Sequence, residues 1–523
     1  MPSSSLRKHT VMTKKKSKFA LTVVFVLVFS LFLSSCSLFS LPDDNIDNNG
    51  GGNQDEPEKT KTEMTVAYFS GEKIDPYTSA NRANRAVIAL CYGGLVFLNE
   101  ENIAEENLAS FETDGSTATF VIKENARFSD GSAVTADDVI YSFEKAKADG
   151  SIYAFRFSKY IANWKKTSAN TVTVTFKSKN IYNINLFDFP ITKKNSKGAY
   201  PDGTGNYRIS SKDGLLYLDI NENSERAAGS EIKRIKLTEI TDAQDLNYNF
   251  NYGVIHAAYA DLSDGSQRYK GNVELVTFMT NSFVYAVVNK SKGYLSSSGV
   301  SSAISLALDR KKISADILDS LGDIVWQPFN LNWGELKNKD IKKDIYSSSD
   351  AHSLFEANGL TLRGTKRTHY GKELTLTVIC NNEDRTRVRI ANAVADGLKE
   401  VGFSVDVVLY NWNDYKKAID AGEYDIYIAE TQIPDNFDIR YMFTDGAVNT
   451  HSGLPSAFLS ALDGFYSGET DAAAVLSAFS ADMPFIPLYY NRGALAVNRI
   501  ISGDFLPTEA DIFNGIEKWT ISE

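Results

Sequence analysis

Apolar residues recur with the periods of strands and helices from Met64 onwards. Val172 to Phe176 alternates between apolar and polar positions, which predicts a half-buried strand. Arg385 to Glu400 places apolar residues three and four positions apart, which predicts an amphipathic helix. The same two patterns predict further strands and helices at 64–69, 81–92, 95–98, 111–122, 135–146, 374–380, 404–409, 413–421 and 424–429.

Turn and capping residues delimit several of these predicted elements. Asp114-Gly115 predicts a hairpin turn between two strands. Thr135 and Asp138 have the spacing of a capping box at a helix start. Asn413 is predicted to cap a helix, and Gly422 is predicted to end it.

Strands alternate with helices in the second half of the chain, which predicts βαβ units and a parallel sheet. In open α/β sheets, ligands bind beyond the carboxyl ends of the strands. The predicted strand at 424–429 leads into the loop Glu430–Asp438. We therefore expect ligand contacts in this loop.

The first 35 residues have the parts of a secretory signal. A basic stretch precedes an apolar run from Phe19 to Leu33, and small residues follow it. The run is shorter than the ~20 residues that a membrane-spanning helix needs. The alternative is an uncleaved membrane anchor. Both interpretations place the rest of the chain outside the cytoplasmic membrane.

Residues 36–61 are polar, rich in Asn, Gly and Asp, and lack a hydrophobic period. Such a segment cannot bury enough apolar surface to offset the entropy of ordering it. It is predicted to be a disordered tether of the kind that holds a folded domain near a membrane.

Charge and cysteine content exclude some classes of function. Six of the 55 basic residues and none of the 66 acidic ones precede Cys36, which leaves a formal charge of −17 from Cys36 onwards. An acidic chain argues against nucleic acid as a partner. Cys91 and Cys380 are predicted to be buried free thiols, with a disulfide between them as the alternative. No cofactor, no metal site and no enzymatic motif are predicted from the sequence.

Leu33-Ser34-Ser35-Cys36 resembles a bacterial lipobox. The resemblance implies that Cys36 carries a lipid and becomes the new N-terminus after cleavage. The protein would then be anchored at the outer face of the cytoplasmic membrane.

Seven further segments, in order along the chain, carry a family resemblance: Asp75–Tyr77, Tyr92–Leu95, Phe128–Gly131, Thr135–Phe143, Gly203–Tyr207, Ala307–Ile313 and Pro484–Tyr490. Together they resemble the bacterial extracellular solute-binding proteins of family 5, the peptide/nickel-type binding components of ABC importers. In the fifth segment, Asn206 stands where the family usually has proline.

The resemblance implies an α/β fold of the type II periplasmic-binding-protein kind, with two lobes joined by a hinge. Lobe I would comprise residues 62–277 and the return segment 487–523, with an inserted subdomain at about 103–195. Lobe II would comprise residues 278–486. Chain crossings near 277–288 and 481–489 would form the hinge. The expected protein is a monomer that captures a short peptide and delivers it to membrane permease subunits.

Five residues are candidates for ligand contact. In peptide-binding members an aspartate of the corresponding loop pairs with the ligand's α-ammonium, which makes Asp435 the first candidate and Asp438 the second. Both could instead be solvated turn residues, with Asp438 capping a helix. Tyr92 and Gly93 lie where family members line the cleft, although a plain helix end is the alternative. Trp412 follows a strand end and could stack on a ligand, or it could belong to the core.

Two other functions stay open at this point. The same fold could bind a nickel chelate, an oligosaccharide or haem. Alternatively, the chain could be a surface signalling or adhesion lipoprotein that has lost its ligand, because Gly93 and the loop 430–438 depart from the family pattern.

Overall fold

The computed structural model describes residues 62–262, 269–319, 321–337, 339, 345–445, 448 and 450–522. The predicted signal segment 1–35, Cys36 and the predicted tether up to residue 61 lie outside the described residues.

Helices occur in both predicted lobes. In chain order they are α1 Arg82–Cys91, α2 Ala136–Lys147, α3 Ala154–Tyr160, α4 Ala243–Asn251, α5 Ser298–Leu306, α6 Arg310–Ile317, α7 Ser348–Ala357, α8 Arg385–Glu400, α9 Trp412–Ala421, α10 Tyr441–Thr444, α11 Ser456–Tyr466 and α12 Ala472–Asp482. Short 3₁₀ turns cover Ile181–Phe187, Gly293–Leu295, Gly334–Leu336, Thr450–Ser452 and Ile516–Lys518.

Strands alternate with these helices. They are β1 Glu63–Phe69, β2 Val96–Leu98, β3 Ala104–Glu106, β4 Ala109–Thr113, β5 Thr117–Ile122, β6 Ile161–Lys166, β7 Thr171–Phe176, β8 Tyr207–Lys212, β9 Leu215–Ile220, β10 Arg234–Ile240, β11 Ala257–Asp261, β12 Val273–Val288, β13 Gly322–Ile324, β14 Leu360–Arg363, β15 Lys366–His369, β16 Lys372–Glu373, β17 Thr375–Asn381, β18 Ser404–Tyr410, β19 Ile426–Gln432, β20 Ile486–Asn498, β21 Ile501–Ser502 and β22 Thr520–Ile521.

Within the described residues, one sheet of eleven strands runs through both predicted lobes. Its order is β18-β17-β19-β12-β20-β11-β1-β10-β9-β8, with β13 also paired to β20. The predicted parallel arrangement is found where β17 pairs with β18 and β19. The pairs that β12 makes with β19 and β20 are antiparallel. The parallel βαβ prediction, made for the strands at 374–380, 404–409 and 424–429, is thus confirmed. The antiparallel pairs of β12 and β20 join these strands to the rest of the sheet.

Two long strands carry the chain across the predicted hinge. β12 has 16 residues and β20 has 13, and they pair with each other along most of their length. Their register shifts between Met279 and Phe283, where β12 bulges. A bulge bends and twists a strand locally. The two predicted crossings are therefore paired strands whose pairing is interrupted at this bulge.

The subdomain predicted at 103–195 contains a separate sheet, in the order β4-β5-β7-β6. Its core is aromatic: Phe120, Phe143, Phe187 and Phe189 are fully buried. The β4–β5 turn lies at Asp114-Gly115 as predicted, and the Asp114 carboxylate accepts the Ser116 and Thr117 N–H groups at 2.8 and 2.7 Å.

The helix ends show which of the predicted capping residues are present in the structure. At α2 the Asp138 carboxylate accepts the Thr135 N–H at 3.0 Å, as the capping-box prediction requires. At α9 the predicted cap Asn413 is wrong, because the Asn411 side chain accepts the Asp414 N–H at 3.0 Å and the helix begins at Trp412. Gly422 ends α9 with a φ of +70°, as predicted.

Cys91 and Cys380 are buried free thiols, as predicted. Burial raises the pKa of both. In the part of the chain that the structure describes, no helix is both long and apolar enough to cross a membrane.

Candidate functional site

The predicted ligand loop begins three residues later than expected because strand β19 continues to Gln432. Its last residue pairs with Ser282 of β12, and the Ile433 N–H donates to the Asn281 carbonyl at 2.8 Å. The loop therefore leaves the sheet beside the bulge in β12.

Asp435 lies where this loop meets the inserted subdomain. Its Oδ2 accepts Nη2 of Arg156 at 2.5 Å, and its Oδ1 accepts a weaker bond from Asn281 Nδ2 at 3.4 Å. The Asn185 amide donates to the Asp435 backbone carbonyl at 2.9 Å. Asp435 is thus held by side chains from both sides of the predicted cleft.

Arg156 projects from α3 and binds two carboxylates, those of Asp188 and Asp435. Burial raises the pKa of Asp435 to about 6; Asp188 and Glu509 add to this rise, whereas Arg156 and Arg85 oppose it. A carboxyl with a raised pKa readily gains from another nearby cation. The side chain of Asp435 is 24% exposed, so a ligand atom can approach it.

Asp438 has different surroundings. Its side chain is 6% exposed and forms a two-bond pair with Arg440, with distances of 2.9 Å to Nε and 2.6 Å to Nη2. It also accepts the Arg440 N–H at 3.1 Å, immediately before α10. Asp438 thus stabilises the loop from inside. It is neither a solvated turn residue nor the cap of α10, whose N-cap residue is Arg440.

Glu509 of the return segment joins three elements. Its Oε2 accepts the Asn281 N–H at 2.6 Å, and its Oε1 accepts Arg82 and Gln432 at 3.1 Å each. One carboxylate therefore connects α1, the bulge of β12 and the end of β19.

Glu430, near the end of β19, has a second polar network. Its carboxylate is bound by the Ser282 hydroxyl, the Asn491 amide and the Arg387 guanidinium. These partners lie on β12, β20 and α8, so the network fixes the hinge strands to lobe II.

Tyr92 and Gly93 line a cavity of about 100 Å³ on the lobe I side of the junction. The Tyr92 hydroxyl is already used, because it donates to the Pro201 carbonyl at 3.1 Å. Next to Gly93, a Cβ on Gly94 would lie 2.5 Å from the Asp188 backbone. The glycine pair therefore permits a close chain approach; neither glycine has the left-handed φ of a helix-ending residue.

Trp412 lies elsewhere. It is the first residue of α9, is 52% exposed and packs near Tyr415, with ring centroids 6.0 Å apart. Tyr92 and Gly93 line the cavity together with Arg156, which bonds to Asp435, whereas neither Asp435 nor Trp412 is among the residues that line it.

Sequence reasoning missed Arg85, Arg156 and Asp188. Arg156 and Asp435 are 279 positions apart, so no local pattern connects them. Arg85 did carry a signal, since Arg85, Ile88, Ala89 and Tyr92 have the spacing of one helix face and all line the cavity.

Among the described residues, no group of three or more His, Cys, Asp or Glu side chains has the geometry to hold a metal ion. The junction instead offers carboxylates, guanidinium groups and amides beside a hinge. Such a set can bind the charged ends and polar groups of an organic solute.

A mixed α/β chain whose two halves share two long strands, with polar side chains where they meet, defines a two-lobed solute-binding protein. The family model of bacterial extracellular solute-binding proteins, family 5, matches residues 101–450, and the chain belongs to this family. Its predicted fold class is thereby confirmed.

Individual relatives are distant. The oligopeptide-binding protein AppA of Bacillus subtilis is 23% identical, over 97% of this chain and all of its own length. Among solved structures, the unliganded open form of the periplasmic murein tripeptide-binding protein MppA has a TM-score of 0.75 at 18% identity, covering 89% of this chain and 98% of its own. A nickel ABC transporter protein from Bacillus halodurans has a TM-score of 0.72 at 18% identity, covering 86% and 98%.

Proposed function

We propose that this protein is the solute-binding component of an ABC importer and captures a short peptide between its lobes. Family membership supports the solute-binding role. The observation that carries the peptide proposal is the position of Asp435, a partly exposed carboxylate at the end of a β-strand and beside the hinge.

Asp435 would pair with the ligand's α-ammonium. A charge-assisted bond to a partly desolvated carboxylate is among the stronger polar contacts. Among the described residues, the one hydrogen bond to its Oδ1 is the 3.4 Å contact from Asn281. An ammonium group would therefore add to the Arg156 pair and need not replace it.

Peptide main chain would then extend along the end of β19, with the side chains in permissive pockets, which gives recognition that tolerates different sequences. The hinge strands β12 and β20 would bend on binding, and the closed form would dock on the permease. Enzymatic activity forms no part of this proposal.

Native mass spectrometry of the full chain, purified in mild detergent without refolding, tests the proposal. We expect a heterogeneous set of adducts at peptide masses, reduced at least tenfold in occupancy by Asp435→Asn. Asp445→Asn is the matched control, because Asp445 also belongs to lobe II and pairs with a subdomain cation, Lys159.

The other outcomes are equally specific. A single discrete adduct or a metal would favour a nickel chelate, an oligosaccharide or haem. Protein that stays bare after incubation with peptide pools would contradict peptide binding and favour the signalling or adhesion alternative.

The lipid anchor is a separate part of the proposal and rests on the lipobox of residues 33–36. Cells grown with labelled fatty acid should incorporate the label into the wild-type protein and not into Cys36→Ser. Equal labelling of both would contradict lipidation at Cys36.

A further inference from the structure

The cavity on the lobe I side of the Asp435 junction is rich in arginine. Arg85, Arg156 and Arg226 all line its volume of about 100 Å³. Two carboxylates, Asp188 and Asp511, line it as well. The hydrogen-bond and ion-pair partners of these five side chains show which of them has no counter-ion.

Two of the arginines are engaged. Arg156 is shared between Asp188 and Asp435. Arg226 donates to Asn514 at 3.4 Å and lies over the Phe97 ring at 5.0 Å from its centroid.

Arg85 is different. Throughout the described residues, its guanidinium has neither a hydrogen bond nor an ion pair, although the residue is half-buried. Its charge acts on the junction, since it opposes the rise in the pKa of Asp435 and of Tyr153. A half-buried guanidinium without a counter-ion costs free energy that an anion at this position would offset.

Asp511 does not supply that anion. Its carboxylate accepts the Phe513 N–H at 2.9 Å, and burial raises its pKa. Three arginines and two carboxylates therefore line the cavity, and neither of these carboxylates is bonded to Arg85 among the described residues.

Space is available for a ligand group. The cavity exceeds the ~30 Å³ that a water molecule takes in the liquid. A second cavity of about 380 Å³ adjoins it and shares Gly93, Phe97, Asn107 and Arg226 with it. The apolar walls formed by Ile88, Val96 and Phe97 suit the carbon chain that carries a charged group.

We propose that this arginine cavity receives a carboxylate group of the bound ligand, with Arg85 as its direct partner. The proposal rests on the function proposed above and specifies its substrate class: peptides whose carboxylate reaches lobe I while the ammonium is held by Asp435. A guanidinium group binds a carboxylate through two parallel bonds, which suits Arg85 to the role. The carboxylate could be the peptide C-terminus or an acidic side chain.

Isothermal titration of the full chain with four defined peptide pools separates these sources. The pools are neutral peptides with a free C-terminus, the same peptides amidated, amidated peptides with one Glu, and amidated peptides with Gln in place of Glu. N-acetylglutamate is a fifth probe that carries carboxylates and no ammonium.

We expect the amidated neutral and Gln pools to bind about 10-fold more weakly than a pool that supplies the carboxylate. Arg85→Ala should remove this difference. Arg85→Lys should keep part of it, because lysine retains the charge and loses the paired geometry. Arg499→Ala, which removes an exposed lobe I arginine, should leave it unchanged.

The two proposals fail separately. Equal affinity for all four pools, or a carboxylate preference that persists in Arg85→Ala, would overturn the arginine-cavity proposal and leave peptide binding intact. Binding of N-acetylglutamate that depends on Arg85, with no binding of any peptide, would support the carboxylate site and overturn the peptide function. The absence of binding by every probe would overturn both.

Discussion

Asp435 and Asp438 lie three positions apart and have different roles because their hydrogen-bond partners differ. Asp435 bonds to Arg156 of the inserted subdomain, so its charge connects two parts of the chain. Asp438 bonds to Arg440, two positions away, and is almost fully enclosed. Burial and the location of the partner, rather than residue type, separate a candidate ligand contact from a structural residue.

Asp438→Asn should lower the free energy of unfolding by about 2 kcal/mol, because hydrogen bonds to charged groups contribute about 1.5–3 kcal/mol. Chemical denaturation measures this loss. Asp463→Asn is the control, since Asp463 binds the same Arg440 from a 65% exposed position. Equal losses in the two variants would contradict the internal role of Asp438.

Asp435 should also give a pH signature. Its folded-state pKa of about 6 exceeds the unfolded value of about 3.9, so the folded state binds more protons between these values. Its contribution to stability is therefore full below about pH 4 and is lost as the pH rises through 6. Arg85, Arg156, Asp188 and Glu509 are the charged groups that act on it.

Thermal unfolding measured from pH 4 to pH 8 tests whether stability falls as the pH rises. Relative to Asp435→Asn, the free energy of unfolding of the wild type should fall by about 2 kcal/mol from pH 4 to pH 8, since one pKa unit corresponds to about 1.4 kcal/mol. A difference that stays flat or grows with pH would contradict the raised pKa.

At the scale of the element, the glycine pair after α1 is explained by the close approach of another chain segment and not by a helix-ending turn. Gly93 and Gly94 follow α1, and a plain helix end was the alternative to a ligand contact at Gly93. Gly94 instead allows the loop carrying Asp188 to pass against it. The loop thereby places Asp188 beside Arg156.

Gly94→Ala should destabilise the protein by about 1–3 kcal/mol, because its Cβ would meet the Asp188 backbone at 2.5 Å and the loop would have to move. The midpoint of denaturant unfolding measures the effect. Gly293→Ala is the matched control, since its Cβ would meet nothing within 4 Å and its φ is not in the left-handed region. A Gly94 variant as stable as the control would contradict the close packing.

At the scale of the whole molecule, the paired strands β12 and β20 unite two regions that the sequence suggested as lobes. The bulge at 279–283 contains Asn281, which contacts both Asp435 and Glu509. The point where the two strands change register is thus also where side chains of several elements meet. Binding at the junction and bending of the sheet are therefore expected to be coupled.

A double-mutant cycle between Arg156→Gln and Asp435→Asn should give an interaction energy of about 1–2 kcal/mol, as contacting residues do. Free energies of unfolding of the four proteins measure it. The control cycle pairs Asp435→Asn with Arg234→Gln, because Arg234 binds Asp219 in another part of lobe I. Additivity within about 0.5 kcal/mol in both cycles would contradict the junction pair.

The sequence by itself determined the mixed α/β class, the positions of α8, β1 and β7, the Asp114-Gly115 turn and the free state of Cys91 and Cys380. These features depend on local periodicity, local hydrogen bonds and burial, which a short stretch of sequence records. The sequence motifs also indicate the family that the family model shows.

Tertiary structure alone decided the antiparallel pairing of the hinge strands, the partner of Asp435 and the composition of the arginine cavity. Arg85, Arg156 and Arg226 come from three separate segments, and only folding places them around one space. The cap of α9 was mispredicted for a related reason. Asn411 and Asn413 flank Trp412 and either could cap a helix, and the backbone conformation of the folded chain makes Asn411 the N-cap residue. Contacts between distant residues depend on how whole elements pack, and no pattern within a single segment encodes that arrangement.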